Sequence, residues 1–250
     1  SSAYTMYGSL LGASTLTIKG NHLFEVRNNE AESSYVGNSD FVNGGMMYAS
    51  TVSFTNNDIV NVSDNVTTGG CCTRGGVLYS NYGALIDSND VLTISNNRAE
   101  SVGGNVYGGA IYQSSSGTSS SYTTRITGNG AVEISGNAAI SPKGEALGGA
   151  IYGNGNVQIA NNDSVLLRGN YEQQGSVYRL RSIYAGGNLE LTAKTGQNIS
   201  VYDSVYTVGN LVLNANRAGG EIRLSGEHTV ADLLAIKGSA GTVTEITYSR

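Results

Sequence analysis

Acidic residues that return at one point of a repeat are the first candidates for chemistry in this sequence. Asp58, Asp90 and Asp163 each follow an asparagine: Asn57, Asn89 and Asn162. If these positions lie above one another, an acidic column forms, and Ca²⁺ takes several oxygen ligands of that kind. Alternatively, each Asp caps its own turn through the backbone. The column is irregular, with Gly130 after Asn129 and His22 after Asn21. Acids also neighbour one another as Asp87 with Asp90 and Glu30 with Glu32. Hydrolysis of a glycosidic bond requires two carboxyl groups about 5–10 Å apart.

Tyrosines are the second set. Tyr48, Tyr79, Tyr112 and Tyr152 each close a Gly-Gly-apolar-apolar-Tyr motif, and Tyr184 closes a degenerate copy, Ser182-Ile183-Tyr184. Another degenerate copy ends at Tyr7. Neighbouring residues of a strand point to opposite faces. With the aliphatic residue inside, the five tyrosines form an exposed ribbon whose amphipathic rings could bind a glycan or a protein partner. The other reading is that the rings cover the sheet and stabilise it, or point inward.

Cys71 and Cys72 are adjacent. This is no disulfide scaffold. The pair is either two small side chains in a Gly-rich turn or a strained ring closed between neighbours. The two histidines, His22 and His228, fall in different repeats, so no His-pair metal site is expected. The 14 basic residues are scattered, with Arg168, Arg179 and Arg181 nearest to a group. No Cys/His nucleophile arrangement occurs, and the Gly pairs lack the strand–helix setting of a phosphate loop. The polygalacturonase signatures Asn-Thr-Asp, Gly-His-Gly and Arg-Ile-Lys are all missing.

Composition narrows the elements that must carry these residues. The 35 Gly and 26 Asn point to many turns, and 39% hydrophobic content is enough for a core. A net charge of −5 with 13% charged residues argues against a nucleic-acid binder. The longest apolar runs, such as Leu233–Ile236, are far short of the ~20 residues that span a bilayer. No signal peptide is visible, and Ser1 begins in mid-pattern, as in a mature or excised fragment.

Internal repetition is the main signal. Besides the tyrosine motif, which steps by 31 to 41 residues, an apolar-x-apolar-x-x-Asn motif recurs in two series. One ends at Asn21, Asn57, Asn89, Asn129 and Asn162. The other ends at Asn29, Asn65, Asn97, Asn137 and Asn170, always eight residues later. Each unit holds three short stretches of alternating apolar residues, which read as strands with one face inward. The breaks are Gly, Asn, Ser and Asp, which tolerate a left-handed backbone. Helical periodicity is absent, apart from Ala231–Lys237 as the one candidate.

Three short strands per unit fit a single-stranded parallel β-helix. A propeller blade needs four antiparallel strands at a period near 40–45. Stacked coils put the same residue type above itself, so repeated Asn forms hydrogen-bonded ladders inside the turns. The Gly pair marks a corner with no room for a Cβ. After Tyr184 the Asn motif stops while strand patterns such as Leu189-x-Leu191 and Ile246-x-Tyr248 continue. We therefore read an all-β rod of about seven coils, regular over residues 1–185 and less regular over 186–250. The Ser114–Ser121 insert, a 138–146 insert and residues 38–41 should project as loops.

Gly-Gly-Ala-Ile at 108–111 and 148–151, and Phe54-Thr55-Asn56-Asn57, resemble the paired GGAI and FxxN motifs of the chlamydial-type polymorphic outer-membrane proteins. The resemblance covers about residues 5–185, and most of the Phe positions are Ile, Leu or Val here. The remainder resembles the Gly-bounded strand repeats of autotransporter passengers. The resemblance implies a right-handed, pectin-lyase-like β-helix. It also implies a type V secreted passenger displayed on a bacterial outer membrane or released, with a C-terminal barrel elsewhere in the gene product. The expected role is adhesive and non-catalytic, toward a host-cell or matrix protein or glycan. A polysaccharide lyase or hydrolase is the alternative, since many parallel β-helices are such enzymes.

Overall fold

The computed structural model describes residues 5–33, 41–117, 119–215, 221–224 and 246–247. It is an all-β parallel solenoid in which one chain winds through four walls. The third coil is representative. It runs along the main wall as Leu78–Ser80 and Ala84–Asp87, then forms Val91–Ser95, Arg98–Ser101 and the short Val106–Tyr107. Successive coils pair in register, as in the chain of partners Leu11, Met47, Leu78, Ile111, Ile151, Ile183 and Val205. Among the described residues those seven levels amount to about six full turns, where about seven coils were expected for the chain. Among the described residues there is no α-helix, only a 3-10 turn at Ser120–Tyr122. The helix candidate Ala231–Lys237, the 34–40 segment and Tyr248 lie outside the described residues, and Phe41, expected in a loop, instead opens the strand Phe41–Asn43.

Alternation and stacking together build the core. In the second wall, Val60, Leu92, Val132, Val165 and Ile199 lie one above another. All five are buried. Stacked strands ~4.8 Å apart leave little water between these side chains, so burial favours each rung by roughly 1.5–3 kcal/mol per aliphatic residue.

The corners explain the polar repeats. Every ladder asparagine follows a residue in the left-handed region: Gly20, Asn56, Ser88, Gly128 and Asn161 in one series, Asn28, Asp64, Asn96, Gly136 and Gly169 in the other. Only Gly, or a short polar residue that bonds locally, takes this bend cheaply. The Gly pair divides two tasks. Gly108 has φ +73°, while a Cβ on Gly109 would overlap the Gly149 carbonyl oxygen and lie 2.6 Å from Ala138 O.

The ladder is not parallel throughout. Tyr171–Gln174 and Val177–Ala185 form an antiparallel hairpin around Gly175, the one antiparallel pairing among the described residues. Gly at the first position of a two-residue loop is a hairpin signal that the repeat period had masked. Beyond the hairpin, Val177–Ala185 rejoins the main wall and pairs in parallel with Ser204–Thr207. Of the 138–146 insert, only residues 142–145 are loop, because Ala138–Ser141 is a strand paired with Arg98–Ser101 and Ala146 opens a strand paired with Val106–Tyr107.

Candidate binding face

The two asparagine series are vertical ladders within the corners. Asn97 shows the pattern. Its Oδ1 accepts from Asn65 N at 3.3 Å and Asn65 Nδ2 at 2.8 Å. Its Nδ2 donates to Asn137 Oδ1 at 2.9 Å and to Val62 O at 2.9 Å. Both lone pairs and both amide hydrogens are used, which is what a fully buried amide requires. Asn57, Asn65, Asn89, Asn129, Asn137, Asn162 and Asn170 are likewise buried, while Asn21 and Asn29 form the open end. These residues are structural rather than reactive.

The second ladder ends on a residue outside the asparagine series. Asp203, 2% exposed, takes Gly169 N on Oδ1 at 2.8 Å. Its Oδ2 takes Asn170 N, Asn170 Nδ2 and Ser182 Oγ at 2.7–3.0 Å. A ladder that passes donors along one direction needs an acceptor-only group at its end, and a carboxylate is that group. Asp203 lies 33 residues after Asn170, the same step as from Asn137 to Asn170.

The tyrosines stack on the outer face of the main wall. Ring centroids are 5.0 Å from Tyr48 to Tyr79, 5.1 Å to Tyr112, 5.3 Å to Tyr152 and 5.0 Å to Tyr184. Tyr206 extends the column at 4.9 Å and was missed by its motif. Tyr7 belongs instead to the short fourth wall, opposite Asn43, and touches Tyr48 edge-on. The expectation of an exposed ribbon needs correction. Tyr79 and Tyr112 are only 6% and 8% exposed, and Tyr48, Tyr152 and Tyr184 are half-buried. The strand spacing presses each ring against its neighbours, and Tyr107 covers Tyr152 from the side at 5.0 Å. Burial raises the phenols of Tyr107, to about 12, and of Tyr112 and Tyr152; Glu145 adds to the effect at Tyr107.

Open surface is found further along the same wall. The main-wall strand of the second coil, Met47–Thr55, is continuous, but later coils break it in two. Loops emerge at the breaks and carry Tyr82 and Tyr122, whose centroids are 6.0 Å apart. Beside them runs a groove of about 540 Å³ over Val52, Leu85, Thr123 and Arg125. A second depression of about 320 Å³ shares Thr123 and Arg125 and continues past Gln158 to Glu190.

The acids do not converge. His22 Nδ1 lies 2.7 Å from Asp58 Oδ2, Lys194 pairs with Asp163, and Gly130 interrupts the column beside Asp90. Among the described residues no group of three or more His, Cys, Asp or Glu is placed to hold a metal ion, and Asp58, Asp90 and Asp163 are not brought together as such a group. Asp87 accepts from Ser88 and Thr127 hydroxyls. Arg168 pairs with Glu133, and Arg181 with buried Glu172 at 2.9 Å. Glu172 occupies the inward column held by Ala99 and Ala139 in earlier coils. Desolvation raises its pKa, opposed by Arg181 and by the Gly148 N–H. The Cys71 and Cys72 sulfurs are 3.0 Å apart where a bend enters the strand Cys72–Arg74.

No family model matches this chain, and searches of curated proteins and of solved structures found no match either.

Proposed function

We propose that the chain is a non-catalytic display rod, the right-handed β-helical passenger of a type V autotransporter. It stands on a bacterial cell surface or is released from it, and contacts a host-cell or matrix protein or glycan. The observation that carries this reading is the division of labour around the wall. Inward and corner positions are consumed by stacking, whereas the main-wall outer face holds tyrosines and an open groove. The described groove lining includes one carboxylate, Glu190, which accepts from Gln158 Nε2 at 2.9 Å. Glycoside hydrolysis uses two, so this lining favours binding over the hydrolase alternative. The experiment is binding of the purified chain to host cells and to immobilised matrix proteins, with sequencing of the full gene for a downstream barrel. Saturable binding without turnover of polysaccharide supports the reading. Cleavage of a polysaccharide, or no binding to any cell or matrix, removes it.

A further inference from the structure

We infer that the groove beside the main-wall break is a binding site for a linear oligosaccharide bearing an acidic substituent. This rests on the display-rod reading and specifies its ligand. The first observation is the platform. Tyr82, 45% exposed, and Tyr122 come from loops of adjacent coils and lie side by side with an interplanar angle of 39°. Aromatic rings with an apolar face and a wet rim suit ligands that are themselves amphipathic, such as the C–H faces of sugars.

The platform is preorganised. A Cβ on Gly117 would lie 2.7 Å from the Tyr122 ring, so that ring packs directly on the loop backbone. Gly83, next to Tyr82, has its Cα side turned to Ser121 O, 3.0 Å from where a Cβ would be. The two loops thus brace each other, and little ordering remains to be done on binding.

The second observation is the floor. Leu85, Arg125, Gln158, Glu190 and Val212 are consecutive partners across coils, all on the outer side of the wall. Both depressions meet at Arg125. From Thr51 to Val212 the floor crosses five strand spacings, about 24 Å at ~4.8 Å each. It is therefore a track along the rod rather than a pit for one small molecule. Among the described residues, Arg125 is the only charged one lining the larger depression. A guanidinium matches a carboxylate or sulfate in planar geometry. The chain as a whole carries −5, so long-range attraction does not draw an anion there, and a local contact must. Gln158 engages Glu190, which moderates the one opposing charge.

The test uses the full 250-residue chain on immobilised linear oligosaccharides, each presented with and without its acidic substituent. Wild type should bind acid-bearing members in preference to their neutral counterparts. Tyr82→Ala and Tyr122→Ala should each weaken binding about tenfold, and Arg125→Gln should abolish the preference for the acid. Tyr178→Ala, an exposed tyrosine on the hairpin, should bind as wild type. Variants are compared only when their circular dichroism and unfolding midpoints match wild type. Unchanged binding in folded Tyr82→Ala and Tyr122→Ala overturns the site. So does an acid preference that survives in Arg125→Gln. If the rod binds host cells but no oligosaccharide on the panel, the groove assignment fails and the display reading stands. If it binds neither, both fail.

Discussion

Replacing Asn97 with Ala, and comparing it with the same change at Asn21, isolates what the ladder contributes. Asn97 is fully buried in the middle of its series. Truncation strips a donor from Val62 O and leaves Asn65 N and one Asn65 Nδ2 hydrogen without their acceptor. A buried polar group left unpaired costs about 1–3 kcal/mol. Three such groups, relieved partly by water entering the vacated space, give an expected loss of roughly 3–5 kcal/mol. Asn21 is exposed at the ladder's open end. Its side chain donates to Asn57 Oδ1 at 2.9 Å, and its backbone N keeps the same oxygen occupied at 3.0 Å after truncation. Its loss should cost below about 1 kcal/mol. Asn97→Asp, which keeps the shape and the acceptor but removes both donors, should be about as harmful as Asn97→Ala. Urea unfolding followed by circular dichroism reads the difference. Hydrogen exchange checks that the loss is centred on neighbouring coils, since repeat arrays can open locally. Equal effects at Asn21 and Asn97, or a near-neutral Asn97→Asp, would refute the account.

Gly109→Ala should destabilise the rod severely, because the new methyl meets backbone of the next coil, whereas Gly12→Ala, with open space around it, should be nearly silent; thermal melts compare the two. Glu172 has a raised folded pKa, so its contribution is present below the ordinary carboxylate range and is lost as pH rises through the folded value. The stability of wild type relative to Glu172→Gln should therefore improve as pH falls from neutral into that range, measured by denaturant midpoints at each pH. The raised phenols follow the same sign: Tyr107, Tyr112 and Tyr152 support the fold below the ordinary tyrosine value of ~10 and cease to do so as pH climbs past it. Spectrophotometric titration should show late-ionising tyrosines in the folded chain that titrate normally in urea. Asp203→Asn places an amide hydrogen against the Gly169 or Asn170 donors and should cost roughly 1–3 kcal/mol by the same unfolding assay.

Much of the solenoid was legible because stacking forces one identity per column. A residue that must satisfy its copies above and below cannot drift, so the Asn series and the aliphatic positions recur at countable steps. What could not be read is where that rule lapses. Asp203 ends a ladder, so it differs from the members it terminates. It also lies two residues after Val201, whereas Asn170 lies three after Leu167, the residue paired with Val201. Glu172 fills an alanine column only at the level where the third wall turns into a hairpin. The sequence left the exposure of the tyrosines open, because period-2 alternation tells which face a ring is on and nothing about what lies over that face. Tyr107, from another wall, is what covers Tyr152. Tyr82 and Tyr122 carry no repeat signal, since each belongs to a loop of its own coil.

That last point explains where recognition belongs in such a molecule. A change at an inner or corner position is felt by two neighbouring coils, through overlap at a glycine or through an orphaned amide. At a break in the main wall some backbone bonds between coils persist, as from Tyr82 N to Ser50 O at 2.9 Å, but the side chains there answer to no copy of themselves. Asn81–Gly83 and Ser114–Tyr122 differ in length and sequence while the strands on either side of them, Leu78–Ser80 with Ile111–Gln113 and Ala84–Asp87 with Thr123–Thr127, stay paired. The scaffold therefore tolerates loop variation without loss of register, and the groove beside those loops can acquire specificity independently of stability. The expectation for the variants above is a clean separation: ladder and glycine substitutions move unfolding midpoints, whereas Tyr82, Tyr122 and Arg125 substitutions move binding alone.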